Sequence, residues 1–223
     1  MRTPGRFITF EGLDGCGKST QLALASEHLR GLGYSVTSTR EPGGTPVGQQ
    51  IRDVVVNASP RSVSPLAELA LMFAARAQHV EQVILPALQR GEVVLCDRFT
   101  DSSVAYQGYG RGVALDTIRA LDGLLCQGGR PGLTLLLDVD ALTSLRRTAA
   151  RNREARQQES RFEKEGMEFF ERVRRGYLEI ARQEPERVKV VDASGSIAEV
   201  QEAVRRIIEE FLGRDKGGSA HGV

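Results

Sequence analysis

The segment Gly12-Leu13-Asp14-Gly15-Cys16-Gly17-Lys18-Ser19 satisfies G-x-x-x-x-G-K-[ST], and no other stretch limits so strongly what this chain can fold into. Such a loop works only where a buried strand feeds it and a helix leaves it. Both flanks have that character. Arg6–Glu11 (RFITFE) alternates like a strand, and Leu22, Ala25, Leu29 and Leu32 then recur at helical spacing, with Gly31 and Gly33 as the stop. The residue types carry chemistry. Glycines let successive N–H groups point inward around an anion, and the helix N-terminus adds the positive end of its dipole. Lys18 can reach the β- and γ-phosphates of a nucleotide, the Ser19 hydroxyl is placed to ligate Mg²⁺, and Thr20 can donate to the α-phosphate. Gly12–Thr20 therefore reads as an ATP-type phosphate-binding loop. Nucleotide binding does not by itself say which reaction follows.

Downstream, short apolar segments alternate with longer helical ones. Tyr34–Thr39, Glu92–Cys96, Leu133–Val139 and Arg187–Val191 read as further strands. Thr45–Asn57, Ser64–Arg90, Ala141–Arg151 and Glu165–Gln183 read as helices, Ser64–Arg90 with Pro65 near its start and a kink or break at Pro86. Ile197, Val200, Val204, Ile207, Phe211 and Leu212 form the apolar stripe of a closing helix. Five strands separated by helices predict an α/β P-loop NTPase fold, a five-stranded parallel sheet flanked by helices. We expect one domain over residues 1–212, followed by a disordered tail at 213–223.

Composition narrows the class of partner. Thirty Lys and Arg against 29 Asp and Glu leave a formal charge of +1, which gives no electrostatic reason for a nucleic-acid or anionic-membrane partner. Apolar runs such as Leu133–Leu137 are far too short to cross a bilayer, and Met1–Arg6 is polar, unlike a secretory leader. Cys16, Cys96 and Cys126 are odd in number and widely spaced, which suits a reducing cytoplasm rather than a disulfide framework. His28, His79 and His221 do not cluster, and they read as surface or helix residues rather than ligands.

Two stretches interrupt the strand–helix rhythm. Asp97–Gly112 is polar and aromatic and directly follows a buried strand, where ligand sites of α/β sheets lie. Within it, Arg98 could bridge a transferring phosphoryl group and an acceptor phosphate, neutralising their repulsion, or could form a surface salt bridge, for instance with Asp97. Asn152–Lys164 (NREARQQESRFEK) is rich in arginine and has no apolar stripe. It is either a mobile lid that closes over ATP or a solvated charged loop. No N-K-x-D or T-K-x-D segment that would read guanine is present.

With these residues in view, the chain resembles the thymidylate kinases, which use ATP and Mg²⁺ to convert dTMP to dTDP for dTTP synthesis. The resemblance runs from Phe7 to about Leu212. It rests on FEGLDGCGKST at Phe10–Thr20, TREPGGTPVG at Thr39–Gly48, DRFTDSSVAYQGYGRG at Asp97–Gly112 and SRFEKEGMEFFERVRRGYLEIA at Ser160–Ala181. It implies a nucleoside-monophosphate-kinase-like fold with a lid at about 152–164. It further implies that Asp14 contacts the acceptor 3′-hydroxyl and helps orient Arg98, and that Arg52 binds the 5′-phosphate with Glu41 and Pro42 shaping the pocket. Arg98 would span both phosphates, Ser103 would sit near the thymine edge, Gln107 would be a further substrate-binding residue, and Arg76 would hydrogen-bond thymine. Tyr106 would lie where a ribose 2′-hydroxyl would clash. Ser19 and Asp97 would hold Mg²⁺, and the protein would be a cytoplasmic homodimer.

The departures from the family pattern matter too. The family stacks an aromatic ring on thymine four residues before the arginine that matches Arg76. Here that position is Met72 with Phe73 beside it, so either the Met72 thioether or the Phe73 ring covers the base. Ser160 replaces an aspartate in the lid motif. Gly15 stands where some members carry a basic loop residue, which fits the subgroup whose lid supplies the catalytic arginine. Arg151, Arg153, Arg156 and Arg161 are the candidates, with Arg153 and Arg156 preferred. The rival readings are a kinase of another nucleoside monophosphate or of a deoxynucleoside, and a non-catalytic ATP-binding switch protein.

Overall fold

The computed structural model describes residues 6–58, 62–126, 129–155 and 161–217. These residues build a parallel sheet in the order β2-β3-β1-β4-β5. Its strands are β1 (Phe7–Glu11), β2 (Val36–Arg40), β3 (Val93–Asp97), β4 (Leu133–Asp138) and β5 (Val188–Asp192). β1 is central, with Ile8 opposite Leu95 on one side and Leu133 on the other.

The helices that flank the sheet are α1 (Lys18–Gly31), α2 (Pro46–Asn57), α3 (Pro65–His79), α4 (Leu85–Gln89), α5 (Thr100–Ser103), α6 (Leu115–Leu125), α7 (Ala141–Ala155), α8 (Met167–Gln183) and α9 (Ile197–Gly217). Strand side chains alternate between two helical layers, as a period of two requires. Ile8, Phe10, Leu95 and Leu135 pack with Leu22 and Leu29 of α1 and Val204 and Ile208 of α9. Phe7, Val94 and Cys96 face the other way, against Leu69 and Phe73 of α3 and Ile118 of α6. Thr9 and Glu11 share that second face, where Thr9 meets Thr134 through their hydroxyls at 2.8 Å.

Pro86 breaks the long helix in the way its chemistry dictates. It lacks an N–H, and the chain accommodates this with a π-helical turn over Val80–Ile84 before α4 resumes. α6 is not among the elements anticipated from sequence, although Leu115, Ile118, Leu121 and Leu125 recur at helical spacing and pack against Val80 and Phe99. Two helices run past the ends anticipated for them. α7 runs to Ala155, so the lid expected from residue 152 begins inside a helix, whose growth by one hydrogen bond per residue continues past the apolar stripe. α9 likewise continues to Gly217, into the start of the segment anticipated as a tail; residues 218–223 lie outside the described residues.

Candidate active site

The carboxyl ends of β2 and β3, the loop after β1, the turn after β2, and helices α2, α3 and α7 enclose a cavity of about 770 Å³. That size suits a small-molecule site. The loop Gly12–Gly17 leads into α1, which starts at Lys18 with its ammonium donating to Leu13 O at 2.8 Å and Gly12 O at 3.2 Å. Gly15, Gly17, Lys18, Ser19 and Thr20 border the cavity, whereas Gly12, Leu13 and Cys16 form the packed underside of the loop. Gly15 has φ of 76°, and a Cβ there would lie 2.7 Å from Thr148 Oγ1 and 2.8 Å from Ser144 O. The loop is thus pressed against α7, and a basic side chain at position 15 has no room.

Asp97 ends β3, and Ser19 donates to its carboxylate at 2.7 Å. This hydroxyl and carboxylate fit Mg²⁺, a hard cation that usually takes few protein oxygens and completes its shell with phosphate and water. Among the described residues no group of three or more His, Cys, Asp or Glu could hold a metal by itself. A divalent ion at Ser19 and Asp97 would therefore depend on phosphate oxygens.

Arg98 follows directly, at φ of 73°, a left-handed conformation that strains any residue with a Cβ. Its guanidinium is not paired with Asp97, as the surface alternative required. It donates to Asp14 at 2.8 Å, to the hydroxyls of Tyr106 (3.1 Å) and Tyr177 (3.0 Å), and to Ser102 at 3.1 Å. Burial opposes its charge, but Tyr106, Asp14 and Tyr177 outweigh that and hold it firmly cationic. Burial likewise works against an ionised Asp14, yet Arg98 and Lys18 win and pull its carboxyl down to about 2.

Glu11 and Tyr177, which sequence reasoning missed, lie behind Arg98. Glu11 accepts from the Phe99 amide (2.7 Å), Ser102 (2.6 Å) and Tyr177 (2.8 Å). Burial, reinforced by Asp101, pushes its carboxyl from 4.5 up to about 7, against the opposing pull of Arg98 and the two hydroxyl bonds. Between pH 4.5 and 7 the native state therefore binds more protons than the unfolded chain, so this group lowers stability as pH rises through that window. Glu11→Gln is expected to flatten this part of the melting temperature against pH. Parallel curves for the two proteins would show that Glu11 does not titrate there.

Arg52, on α2, donates to Pro42 O at 3.1 Å in the turn after β2, where the Glu41–Pro42 bond is cis. Burial and the nearby Arg40 and Arg98 lower its pKa, so this wall of the cavity concentrates positive charge. Deeper in, Arg76 donates from Nε to Glu41 at 2.7 Å and from Nη2 to Ser103 at 3.0 Å and Phe99 O at 3.1 Å. Its Nη1 is buried with no hydrogen-bond partner among the described residues. Gln107 borders the cavity and donates to Glu68 at 2.7 Å, from a π-helical segment, Val104–Gly110, that also carries Tyr106.

The residues left open as alternatives lie as follows. Met72 lines the cavity, while Phe73 is fully buried in the core beneath the Arg76 guanidinium, 4.6 Å from its ring centroid, so Phe73 does not face a ligand. Arg153 is exposed and donates to Ala149 O of its own helix at 3.3 Å, away from the cavity. Arg151 does line it, held by Glu163 at 3.0 Å. Arg161 is buried against Glu68 and Val55 O, in the wall rather than the cavity. Arg156 and Ser160 lie outside the described residues.

Comparison with known proteins agrees over most of the chain. The thymidylate kinase family profile matches residues 10–204. A thymidylate kinase of Pelobacter propionicus is 50% identical over 201 residues, covering 90% of this chain and 92% of the relative. One from Geobacter sp. (strain M21) is 52% identical over 212 residues, 93% of this chain and 94% of the relative. The crystal structure of thymidylate kinase from Ehrlichia chaffeensis superposes with a TM-score of 0.73 at 35% identity, covering 91% of this chain and 97% of that one.

Proposed function

The chain belongs to the thymidylate kinase family and phosphorylates dTMP to dTDP; we propose that the donor is Mg·ATP and that both nucleotides meet in the cavity around Arg98. The observation that carries this is the pairing, in one cavity, of a phosphate-binding loop with a second cationic wall. A switch protein that only held ATP would have no use for Arg52 and Arg98 beyond the loop.

The ATP triphosphate lies on Gly12–Thr20, with Lys18 on its β- and γ-phosphates. Ser19 and Asp97 would hold Mg²⁺, which would supply neutralising charge to the phosphates when bound. The acceptor phosphate faces Arg52. Arg98 spans the two phosphates, fixed by Asp14, Tyr106 and Tyr177 so that little reorganisation accompanies transfer. No general base is needed, because the attacking phosphate oxygen is already anionic. Positioning and charge neutralisation carry the rate. Arg76 presents Nη1 to the base, with Ser103 and Gln107 beside it, Met72 covers the ring, and Tyr106 excludes a 2′-hydroxyl. Arg151, which borders the cavity from α7 just before the expected lid, brings a further arginine toward the phosphates.

The enzyme is a cytoplasmic homodimer. Its free, buried cysteines fit a reducing compartment, and Val47, Val54 and Leu66 on α2 and α3 offer exposed apolar contact. Among the described residues no helix is long and apolar enough to cross a membrane.

Steady-state ADP formation with dTMP, dUMP, UMP, dCMP, dGMP, AMP and thymidine tests the assignment. Strong stimulation by dTMP, weaker by dUMP and almost none by UMP is expected. Preference for thymidine or another monophosphate would discard the acceptor pocket, and no stimulation would return the switch reading.

A further inference from the structure

His79 is fully buried at the end of α3, does not border the cavity, and plays no part in the mechanism above. It is nonetheless tied to a cavity residue through a short polar chain. Its Nδ1 lies 2.9 Å from Glu41 Oε1, and its Nε2 lies 2.6 Å from Thr39 Oγ1. The other Glu41 oxygen, Oε2, takes the Arg76 Nε at 2.7 Å. Arg76, Glu41 and His79 are 3%, 4% and 0% exposed, so water cannot substitute for the bonds that join these three.

Chemistry fixes the direction of the chain. An ionised carboxylate only accepts, so the proton shared with Glu41 sits on His79 Nδ1. In the neutral ring, Nε2 then accepts from the Thr39 hydroxyl. With both oxygens engaged, the Glu41 carboxylate has one orientation, and it sets the plane of the Arg76 guanidinium. Phe73 and Phe99 hold that plane from their rings at 4.6 and 5.2 Å, and Ser103 and Phe99 O take Nη2. Nη1 is the donor left over. The imidazole is itself wedged in place. Gly44 has φ of 75°, and a Cβ there would lie 2.6 Å from His79 Nε2 and 2.9 Å from Thr39 Oγ1. A glycine at this turn is therefore what lets the ring reach Glu41.

We propose that His79 is a positioning residue for acceptor-base selection: through Glu41 it aims Arg76 Nη1 at a ring carbonyl of the base. A guanidinium has donors only, so a correctly aimed Nη1 accepts a pyrimidine with a 4-oxo group and rejects one with a 4-amino group. Loss of aim weakens dTMP binding and erodes discrimination against dCMP. This rests on the reading that Arg76 meets the base.

The test uses the full chain, with KM and kcat measured for dTMP, dCMP and ATP. Asparagine places its amide N–H near the Nδ1 position and keeps the bond to Glu41. Glutamine carries its amide one bond farther, toward Thr39, and leaves Glu41 Oε1 unpaired. His79→Gln is expected to raise KM for dTMP about tenfold, the size of one lost buried hydrogen bond, and to lower the dTMP-to-dCMP ratio of kcat/KM comparably. KM for ATP should stay unchanged, and His79→Asn should recover most of the loss. If His79→Gln does not fold, Thr39→Val, which removes the hydroxyl at constant volume, should move the same ratio in the same direction by a smaller factor. Equal behaviour of the Asn and Gln variants, or an unchanged ratio in Thr39→Val, overturns the positioning role. Arg76→Met separates the two levels. If it leaves dTMP KM and the ratio untouched, the base-reading role of Arg76 is itself wrong; if it shifts them while the His79 variants do not, only the role of His79 fails.

Discussion

Arg98→Ala is expected to lower kcat for dTMP phosphorylation by about 10³-fold while the protein stays folded, in line with removal of one arginine that stabilises a phosphoryl transition state. The guanidinium makes four side-chain bonds, to Asp14, Ser102, Tyr106 and Tyr177, and none of those partners lies in the sheet. Its loss removes the charge between two phosphate sites but leaves the five strands and their packing. The backbone supplies a control. Position 98 holds φ of 73°, which glycine adopts freely and alanine does not. Arg98→Gly should therefore be the more stable of the two by about 1 kcal/mol and equally inactive. Coupled measurement of ADP release and thermal melts on both variants decides the matter. Near-normal turnover in either would remove Arg98 from the phosphate bridge, and a more stable alanine variant would mean that the strain is not there.

The largest stability effect should come from Glu68, which no motif singles out. It is fully buried on α3 and gathers Arg161, Gln107 and Arg111, the last at 3.4 Å. Arg161 is 3% exposed, so Glu68→Ala strands a guanidinium in the interior. Breaking a buried pair from one side costs about 3–5 kcal/mol, which for a chain of this length lowers Tm by roughly 10 °C. Replacing both partners, as Glu68→Met with Arg161→Met, should recover a substantial part, because the cost lies in the unpaired charge more than in the lost attraction. Denaturant midpoints across this cycle give the coupling. A single variant as stable as the parent would show that the site is wetter than its burial implies.

Glu68 also marks where sequence reading stopped. The motif that contains Arg161 was visible, and arginines near a lid suggested contact with phosphate. What sets Arg161 apart is a carboxylate 93 residues away on α3, beside Val55 O from α2. Nothing local in SRFEKE distinguishes a buried structural arginine from a catalytic one. Glu11 and Tyr177 escaped for a similar reason: each sits in an ordinary strand or helix pattern, and only their convergence with Ser102 gives them a role.

The sequence alone determined the parallel α/β fold and the phosphate-binding loop, while the kinase family was legible as a resemblance carried by four linked motifs. Fold and loop rest on periodicity and on short runs whose backbone geometry is set within a few residues, as in Gly12–Ser19. Only the tertiary structure shows that Met72 and not Phe73 borders the cavity, and that Arg151 does while Arg153 does not. Neighbours on a helix point about 100° apart and residues two apart about 200° apart, so either member of each pair satisfies the sequence pattern equally well. The docking of α3 on the sheet turns Phe73 into the core and Met72 to the cavity, and the packing of α7 against Gly15 does the same for Arg151. Helix phase against a distant surface is a long-range property, and it is what chose the residues of this site.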